Sequence, residues 1–161
     1  MSKINLGGNF FRETGEFTVE IPALPQPTLA DIQAEWPNIK AIESDASPTK
    51  AVTLRLGTVL RPDEISITGP EYERRLRTVS GCWGLQQGLW LRDHQDDHPA
   101  FKALIGQVYI DLTALFVLDG GVGRRRFPVL REDDRRWDVY WSRRDRQFVQ
   151  RGRVAASGKA A

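Results

Sequence analysis

The sequence predicts an α+β fold, and changes in the spacing of its apolar residues carry this prediction. Apolar residues alternate near the N-terminus, recur at helical intervals between residues 68 and 106, and alternate again from residue 107 onwards. We expect an N-terminal hairpin and strand, three mid-chain helices, and a C-terminal four-stranded antiparallel meander packed on those helices. The 161 residues suit a single globular domain with a β-rich segment that holds one short helix (1–60), a helical segment (68–106), a basic β-meander (107–155) and a flexible tail (156–161).

Two β elements and a short helix are expected in the N-terminal segment. Alternating apolar residues flank the turn-like stretch Glu13–Glu16, which predicts a hairpin over residues 9–21. Thr28 can cap a helix over residues 29–36, with Asp31 at the reciprocal capping position. Residues 44–49 predict a loop, and the alternation that follows predicts a strand over residues 51–60.

Capping residues mark the helices of the middle segment. Thr68 and Glu71 flank Pro70 in the pattern of a helix start, and this helix should run to about Gly81 with Glu71, Arg74 and Arg75 in water. A second helix is expected over residues 83–95. A third, opened by Pro99 after Asp97 or His98, should end at Gly106.

Side-chain chemistry suggests a register for the C-terminal strands. A two-residue turn at Asp119-Gly120 would place Ile110 opposite Val129 and Leu112 opposite Phe127. A three-residue loop over residues 132–134 would place Val129 opposite Trp137 and Phe127 opposite Val139. Residues 148–154 should form the fourth strand. In this register one side of the sheet is apolar throughout. A slip of one residue would turn every side chain to the other face, so the apolar match favours this register.

The opposite face would then collect arginines around a tyrosine. This predicted face presents Arg124, Arg126, Arg136, Asp138, Tyr140, Arg151 and Arg153. Guanidinium groups and a tyrosine ring are what a phosphate backbone with a stacked base requires, and an acidic protein surface is an equally suitable partner. Leu115 and Val117 point the same way, so part of the face needs an apolar cover or a second subunit, which would make a homo-oligomer.

Basic residues are concentrated in the C-terminal part of the chain, and the rest of the chain is acidic. Residues 121–161 carry twelve Lys/Arg against five Asp/Glu, whereas the whole chain has a net charge of only +2. This asymmetry indicates a polyanionic partner. The alternative interpretation is that the arginines pair with nearby carboxylates, or with the acidic N-terminal part, and only solubilise the sheet.

Two further groups of residues are candidates for chemistry. His94 and His98 are four residues apart, as in helical zinc sites, and Asp93 and Asp97 could add oxygen ligands. However, Gln95 stands where such sites have a glutamate, and Pro99 disfavours a helical His98. Cys82 follows Gly81 near a predicted helix start, where a thiol can become reactive, although a lone cysteine in apolar surroundings more often packs. We therefore expect no metal and no cofactor.

These observations favour a non-catalytic binding or adaptor protein that holds nucleic acid or an acidic protein on its arginine-rich sheet. A small metal-dependent hydrolase centred on His94 and His98, or a subunit of a larger assembly, are the alternatives. The single cysteine, the absence of a signal-like N-terminus and the lack of a long apolar stretch predict a cytoplasmic protein without a membrane span.

Overall fold

A computed structural model describes residues 9–120 and 124–157, and within them it has an α+β fold that is richer in sheet than the sequence predicts. Four α-helices lie in these ranges, together with a 3₁₀ turn at Gln95–Asp97: α1 (Leu29–Glu35), α2 (Gly69–Leu76), α3 (Leu85–Asp93) and α4 (Pro99–Lys102). The strands are β1 (Arg12–Ile21), β2 (Ile39–Asp45), β3 (Val52–Thr58), β4 (Ser66–Ile67), β5 (Tyr109–Asp111), β6 (Leu115–Asp119), β7 (Arg125–Asp133), β8 (Arg136–Arg143), β9 (Phe148–Val149) and β10 (Gly152–Ser157). None of the helices in the described ranges is long and apolar enough to cross a membrane.

Strand β7 is the centre of the main sheet. The strand order is β1-β3-β10-β5-β7-β6-β2, and β8 pairs with the other edge of β7. Strands β5 and β6 share one edge of β7, because β5 pairs with residues 129–130 and β6 with residues 125–126. The pairing of β10 with β5 is parallel, and β4 and β9 form a separate two-stranded ribbon.

The capping residues predict the starts of α1 and α2 correctly. Thr28 Oγ1 accepts a hydrogen bond from the Asp31 N–H at 3.1 Å, and the Asp31 carboxylate accepts one from the Thr28 N–H at 2.9 Å. At α2, Thr68 Oγ1 accepts from the Glu71 N–H at 3.3 Å. These bonds satisfy N–H groups that have no partner within the helix.

The predicted N-terminal hairpin is wrong. Residues 12–21 form the single strand β1, which pairs along β3 and bulges between Glu13 and Thr18. Gly15 adopts a positive φ of 74° in this bulge, so the turn-like sequence produces a local irregularity and not a chain reversal. Strand β2, which pairs with β6, was not predicted from the sequence.

The predicted register of the β7–β8 hairpin is also wrong. The turn consists of Asp134 and Arg135, whose φ angles of 53° and 66° are those of a type I′ turn, and not of residues 132–134. Phe127 therefore lies opposite Ser142, and Val139 lies opposite Leu130. Because the register differs by an odd number of residues, Phe127 and Val139 face opposite sides of the sheet.

The remaining C-terminal strands differ from the prediction as well. Ile110 lies opposite Leu130, and Val117 lies opposite Arg126, so Asp119-Gly120 is not a two-residue turn. The glycine-rich residues 121–123 fall outside the described residues. The predicted fourth strand is two strands: β9 pairs with β4, and β10 inserts between β3 and β5. Ala156 and Ser157, expected in a tail, belong to β10, and the rest of that expected tail is not described.

The apolar core forms two clusters, one on each side of β7. Leu130, Trp137 and Val139 pack in the first cluster with residues of the helices, and Phe127 and Val129 pack in the second. All four residues from Phe127 to Leu130 are buried. The first cluster also contains Leu115 and Val117, whose exposure is 0%, so the strip that we expected to need a cover is already covered by the chain itself.

Candidate functional site

The structure does not bring the predicted arginine face together. Arg126 lies on the Val139 side of the hairpin, whereas Tyr140 lies on the Phe127 side. Arg136 is at the far end of β8, beside Asp96. Arg151 and Arg153 lie at the start of β10, where their side chains donate to backbone carbonyls. The residues predicted to form one surface therefore occupy separate places.

Many of the C-terminal arginines are neutralised by carboxylates from the earlier, acidic part of the chain. Five such arginines occur in the described residues: Arg125 with Glu43, Arg126 with Asp119, Arg136 with Asp96, Arg144 with Glu43 and Glu73, and Arg146 with Asp111. The charge asymmetry of the sequence is thus largely resolved by ion pairs within the molecule. Any site for an anion must use the arginines that remain accessible.

A cleft at one end of the β7–β8 hairpin holds such arginines. Its volume is about 360 Å³. Arg124 and Arg125 line it where the chain enters β7, and Arg143 and Arg144 line it where the chain leaves β8. We call it the arginine cleft, and its full lining is Gly69, Pro70, Glu73, Arg124, Arg125, Arg143, Arg144 and Asp145.

Two of these arginines are available to a ligand. Arg124 is exposed, and the described carboxylate that it influences is Asp145, without a direct ion pair between the two. Arg143 pairs with Asp145 at 3.1 Å, but both side chains are open to water, with exposures of 61% and 68%. The hydrogen bond from Arg143, with a smaller contribution from Arg124, lowers the pKa of Asp145 below its usual value. An exposed pair of this kind contributes little to stability, so an incoming anion can replace Asp145 at low cost.

Arg144 forms the inner wall of the arginine cleft. Its Nη1 donates to Glu43 at 2.9 Å, its Nη2 donates to Glu73, and its guanidinium lies 4.3 Å from the centroid of the Phe116 ring. The side chain therefore ties α2, β2 and β6 together. We assign Arg144 a structural role in this cleft, since its charge is already compensated.

A second cavity adjoins the cleft on the other side of Arg144. Its volume is about 250 Å³. Glu73 and Arg144 line both cavities. We call the second one the apolar chamber, and its lining is Ser44, Ala46, Glu73, Leu76, Arg77, Val79, Gly81, Cys82, Thr113, Ala114, Phe116 and Arg144.

Cys82 has the properties of a packing residue in this chamber. Burial raises the pKa of its thiol, so the neutral form is favoured. The thiol donates a long hydrogen bond of 3.8 Å to the Val79 carbonyl, and the backbone of Cys82 forms an isolated bridge with Ala156. These features do not support a reactive thiol at Cys82.

Tyr140 belongs to a different cavity, of about 340 Å³, on the Phe127 side of the hairpin. The guanidinium of Arg131 lies 4.1 Å from the centroid of the Tyr140 ring. Arg146 also lines this cavity, but its donors are used by Asp111, Ser142 and the Gln147 carbonyl. One face of the tyrosine expected to stack on a base is therefore covered by an arginine of the same chain.

A buried polar cluster lies below this cavity. The Asp111 carboxylate has an exposure of 0% and accepts hydrogen bonds from the Tyr72 hydroxyl at 2.5 Å and from Arg146 Nη2. Burial raises the pKa of Asp111, and burial together with the nearby Asp111 charge raises the pKa of Tyr72. Because Asp111 and Tyr72 are closed off from solvent and hydrogen-bonded, the cluster holds α2 to the sheet and is not open to a substrate.

The histidines do not form a metal site in the structure. His94 Nδ1 is 2.8 Å from the Trp90 carbonyl oxygen, and the His94 ring stacks on Trp90 at 4.1 Å. The His98 ring lies 5.6 Å from the same indole in a tilted arrangement. Asp93 pairs with Arg92, and Asp97 belongs to the 3₁₀ turn. Within residues 9–120 and 124–157, no three His, Cys, Asp or Glu side chains are grouped to hold a metal ion.

Of the residues that line the arginine cleft, Arg124 was predicted from the sequence as a site residue, whereas Arg143, Pro70 and Glu73 were not. The sequence Arg143-Arg144-Asp145-Arg146 was a visible signal, since a run of charges after an apolar strand marks an exposed strand end. Comparison of the chain with protein-family models, with curated proteins and with solved structures finds no match. The geometry of the chain is therefore the basis for assigning a function.

Proposed function

We propose that the protein is a non-catalytic binding or adaptor protein that holds a polyanion, either nucleic acid or an acidic protein surface, in the arginine cleft. The single observation that carries this proposal is the presence of two accessible guanidinium groups, Arg124 and Arg143, around one open cleft. Arginine suits this role because its planar group donates two parallel hydrogen bonds to a phosphate or carboxylate. The cytoplasm is the compartment that we propose for it.

The lining of the cleft also favours binding over chemistry. Its carboxylates, Glu73 and Asp145, are both paired with arginines. An arginine in such a pair can bind an incoming anion in place of its carboxylate partner. No nucleophile accompanies these pairs in the lining of the cleft. The alternative hydrolase gains no support from His94 and His98, since both rings pack against Trp90.

A salt series tests the proposal. We would measure the binding of mixed-sequence single-stranded and double-stranded nucleic acid, and of polyglutamate, by fluorescence anisotropy at increasing salt. Affinity should fall steeply with salt, since binding releases counterions from the polyanion. For nucleic acid, the double variant Arg124→Ser/Arg143→Ser should bind more weakly, and its log-log salt slope should be smaller by about 2.

The matched control removes two exposed cations outside the cleft. Lys50→Ser/Arg135→Ser changes the net charge by the same amount, and both side chains are exposed. The proposal predicts that this control retains most of the affinity and the salt slope. Equal losses in the two double variants would show only a general charge effect, and no binding of any of the three polyanions at low salt would overturn the proposal.

A further inference from the structure

The arginine cleft and the apolar chamber adjoin each other along α2 on the two sides of the Glu73–Arg144 ion pair, and together we call them the groove. They share Glu73 and Arg144 in their linings. Gly69, Pro70 and Glu73 line the cleft, and Glu73, Leu76 and Arg77 line the chamber, a spacing that lies along one face of a helix. The groove is therefore cationic at the start of α2 and apolar beyond its end.

The chamber has the size and lining for an aliphatic side chain. Leu76, Val79, Ala46 and Ala114 contribute small or aliphatic groups to its walls. Its volume of about 250 Å³ is many times the roughly 10–15 Å³ of such space that one water molecule needs, so a side chain can enter it. The Phe116 ring is covered on one face by the Arg144 guanidinium, so it leaves little aromatic surface on which a base could stack.

The charges of the groove distinguish a peptide from a nucleic acid. Glu73 and Asp145 lie among the arginines and are hydrogen-bond acceptors. A peptide backbone offers N–H donors to these carboxylates, and its acidic side chains can bind Arg124 and Arg143. A phosphate backbone offers only acceptors, which the two carboxylates would repel.

We infer that the groove binds an extended acidic segment of a partner protein. Carboxylates of the segment pair with Arg124 and Arg143, and one aliphatic side chain, such as leucine, enters the apolar chamber. This inference rests on the proposed function, because it names the class of polyanion that occupies the arginine cleft. The cleft supplies charge complementarity, and the chamber supplies selectivity for the apolar residue.

Two labelled peptides test the inference. Both are short and rich in Asp and Glu; one carries a single central leucine and the other a serine at the same position. We expect the leucine peptide to bind about tenfold more tightly, because the chamber removes the leucine side chain from water. A single-stranded oligothymidine of similar charge serves as the nucleic-acid probe.

Filling the chamber should remove the advantage of leucine. Ala46 is exposed and lines the chamber, so Ala46→Phe can occupy it while keeping the backbone hydrogen bond from the Ala46 N–H to the Ala114 carbonyl. Ala100→Phe is the matched control, since Ala100 is an exposed residue of α4 outside the chamber. Ser44→Phe, at another exposed position of the lining, is the second filling variant if Ala46→Phe does not fold.

The outcomes separate this inference from the proposed function. A leucine advantage that is lost in Ala46→Phe and kept in Ala100→Phe supports the inference. Equal binding of the two peptides, with both lost in Arg124→Ser/Arg143→Ser, overturns the inference and leaves the proposed function standing. Binding of the oligothymidine that is tighter than that of either peptide, and is lost in Arg124→Ser/Arg143→Ser, also overturns the inference and leaves the proposed function standing. It identifies the partner as nucleic acid. Failure of both peptides, the oligothymidine and double-stranded nucleic acid to bind at low salt overturns both.

Discussion

The Tyr72 hydroxyl, on α2, donates a 2.5 Å hydrogen bond to the fully buried carboxylate of Asp111, in the middle of the sheet. Arg146 compensates the charge of this carboxylate from the β8–β9 connection. The three side chains therefore join a helix, a central strand and a loop at one point. Since α2 lines the arginine cleft, this cluster fixes one wall of the candidate site.

Replacement of Asp111 should be among the most destabilising single changes in the protein. Asp111→Ala leaves the Tyr72 hydroxyl without its acceptor and the half-buried Arg146 guanidinium without its carboxylate partner. We expect a loss of about 3–5 kcal/mol in the free energy of unfolding. Tyr72→Phe removes one hydrogen bond to a charged group and should cost about 1.5–3 kcal/mol. Urea unfolding followed by tryptophan fluorescence measures both losses.

Asp93→Ala is the control for this series. Asp93 also pairs with an arginine, Arg92, but its side chain is 61% exposed, so its removal should cost no more than about 1 kcal/mol. A loss at Asp111 no larger than the loss at Asp93 would contradict the structural role of the cluster.

The ion pairs of Arg75 should make stability depend on pH. Arg75 has an exposure of 3% and donates to Glu64, to Glu71 and to the Val59 carbonyl. The hydrogen bonds from Arg75 lower the pKa of Glu64 to about 2, and those from Arg74 and Arg75 lower the pKa of Glu71 to about 2. Both values lie below the usual pKa of 4.5. The folded state thus holds these carboxylates charged more strongly than the unfolded state does.

The sign of the pH effect follows from this difference. A group whose pKa is lowered by folding stabilises the protein above its unfolded pKa, and that contribution is lost as the pH falls towards its folded pKa. Stability should therefore decrease between about pH 5 and pH 2. Glu64→Gln should reduce stability at neutral pH and flatten this decrease, whereas Glu20→Gln, at an exposed position of β1, should change neither. An unchanged pH profile in Glu64→Gln would contradict the assignment.

Local signals in the sequence predicted the starts of the helices, because capping depends on residues only a few positions apart. The predicted ends were wrong for two of them, since α2 ends at Leu76 and not near Gly81, and α4 ends at Lys102 and not at Gly106. Thr28 and Thr68 cap α1 and α2 as expected. Arg75, which was expected in water, is buried, because its partner Glu64 lies outside the helix and beyond the range of helical spacing. The α+β class could thus be predicted, but the contacts that bury a charge could not.

The errors in the sheet and in the candidate site both arise from contacts between distant parts of the chain. Phe127, Pro128, Val129 and Leu130 are all buried, because β7 has a core cluster on each face, so the strand carries no alternation that could reveal its register. The β7–β8 turn lacks glycine as well. Ion pairs such as Arg125 with Glu43 join distant parts of the chain, and no sequence spacing indicates that they cancel the basic charge. Arg124 and Arg143 could therefore be identified as accessible arginines of the cleft only from the folded structure.

The β7–β8 turn offers a way to stabilise the protein. Arg135 adopts a φ of 66°, a left-handed conformation that costs a non-glycine residue about 1 kcal/mol. Arg135→Gly removes this strain and should raise the free energy of unfolding by up to about 1 kcal/mol, although the greater freedom of glycine in the unfolded chain offsets part of the gain. The control, Thr18→Gly at an exposed position of strand β1, should instead destabilise the protein by about 1 kcal/mol. A decrease in both variants would contradict the assigned turn.

Gly88 provides a test of packing in which helix propensity and sterics oppose each other. Within a helix, replacement of glycine by alanine normally stabilises by about 1 kcal/mol. A Cβ atom at position 88 of α3, however, would overlap Cδ1 of Leu112, which is fully buried. We expect Gly88→Ala to reduce the free energy of unfolding by about 1–3 kcal/mol despite its better propensity. In a Leu112→Ala background the overlap disappears, so the same substitution should become neutral or stabilising, and a double-mutant cycle measured by urea unfolding should show this coupling. Equal effects of Gly88→Ala in the two backgrounds would mean that α3 does not pack against Leu112 as the structure shows.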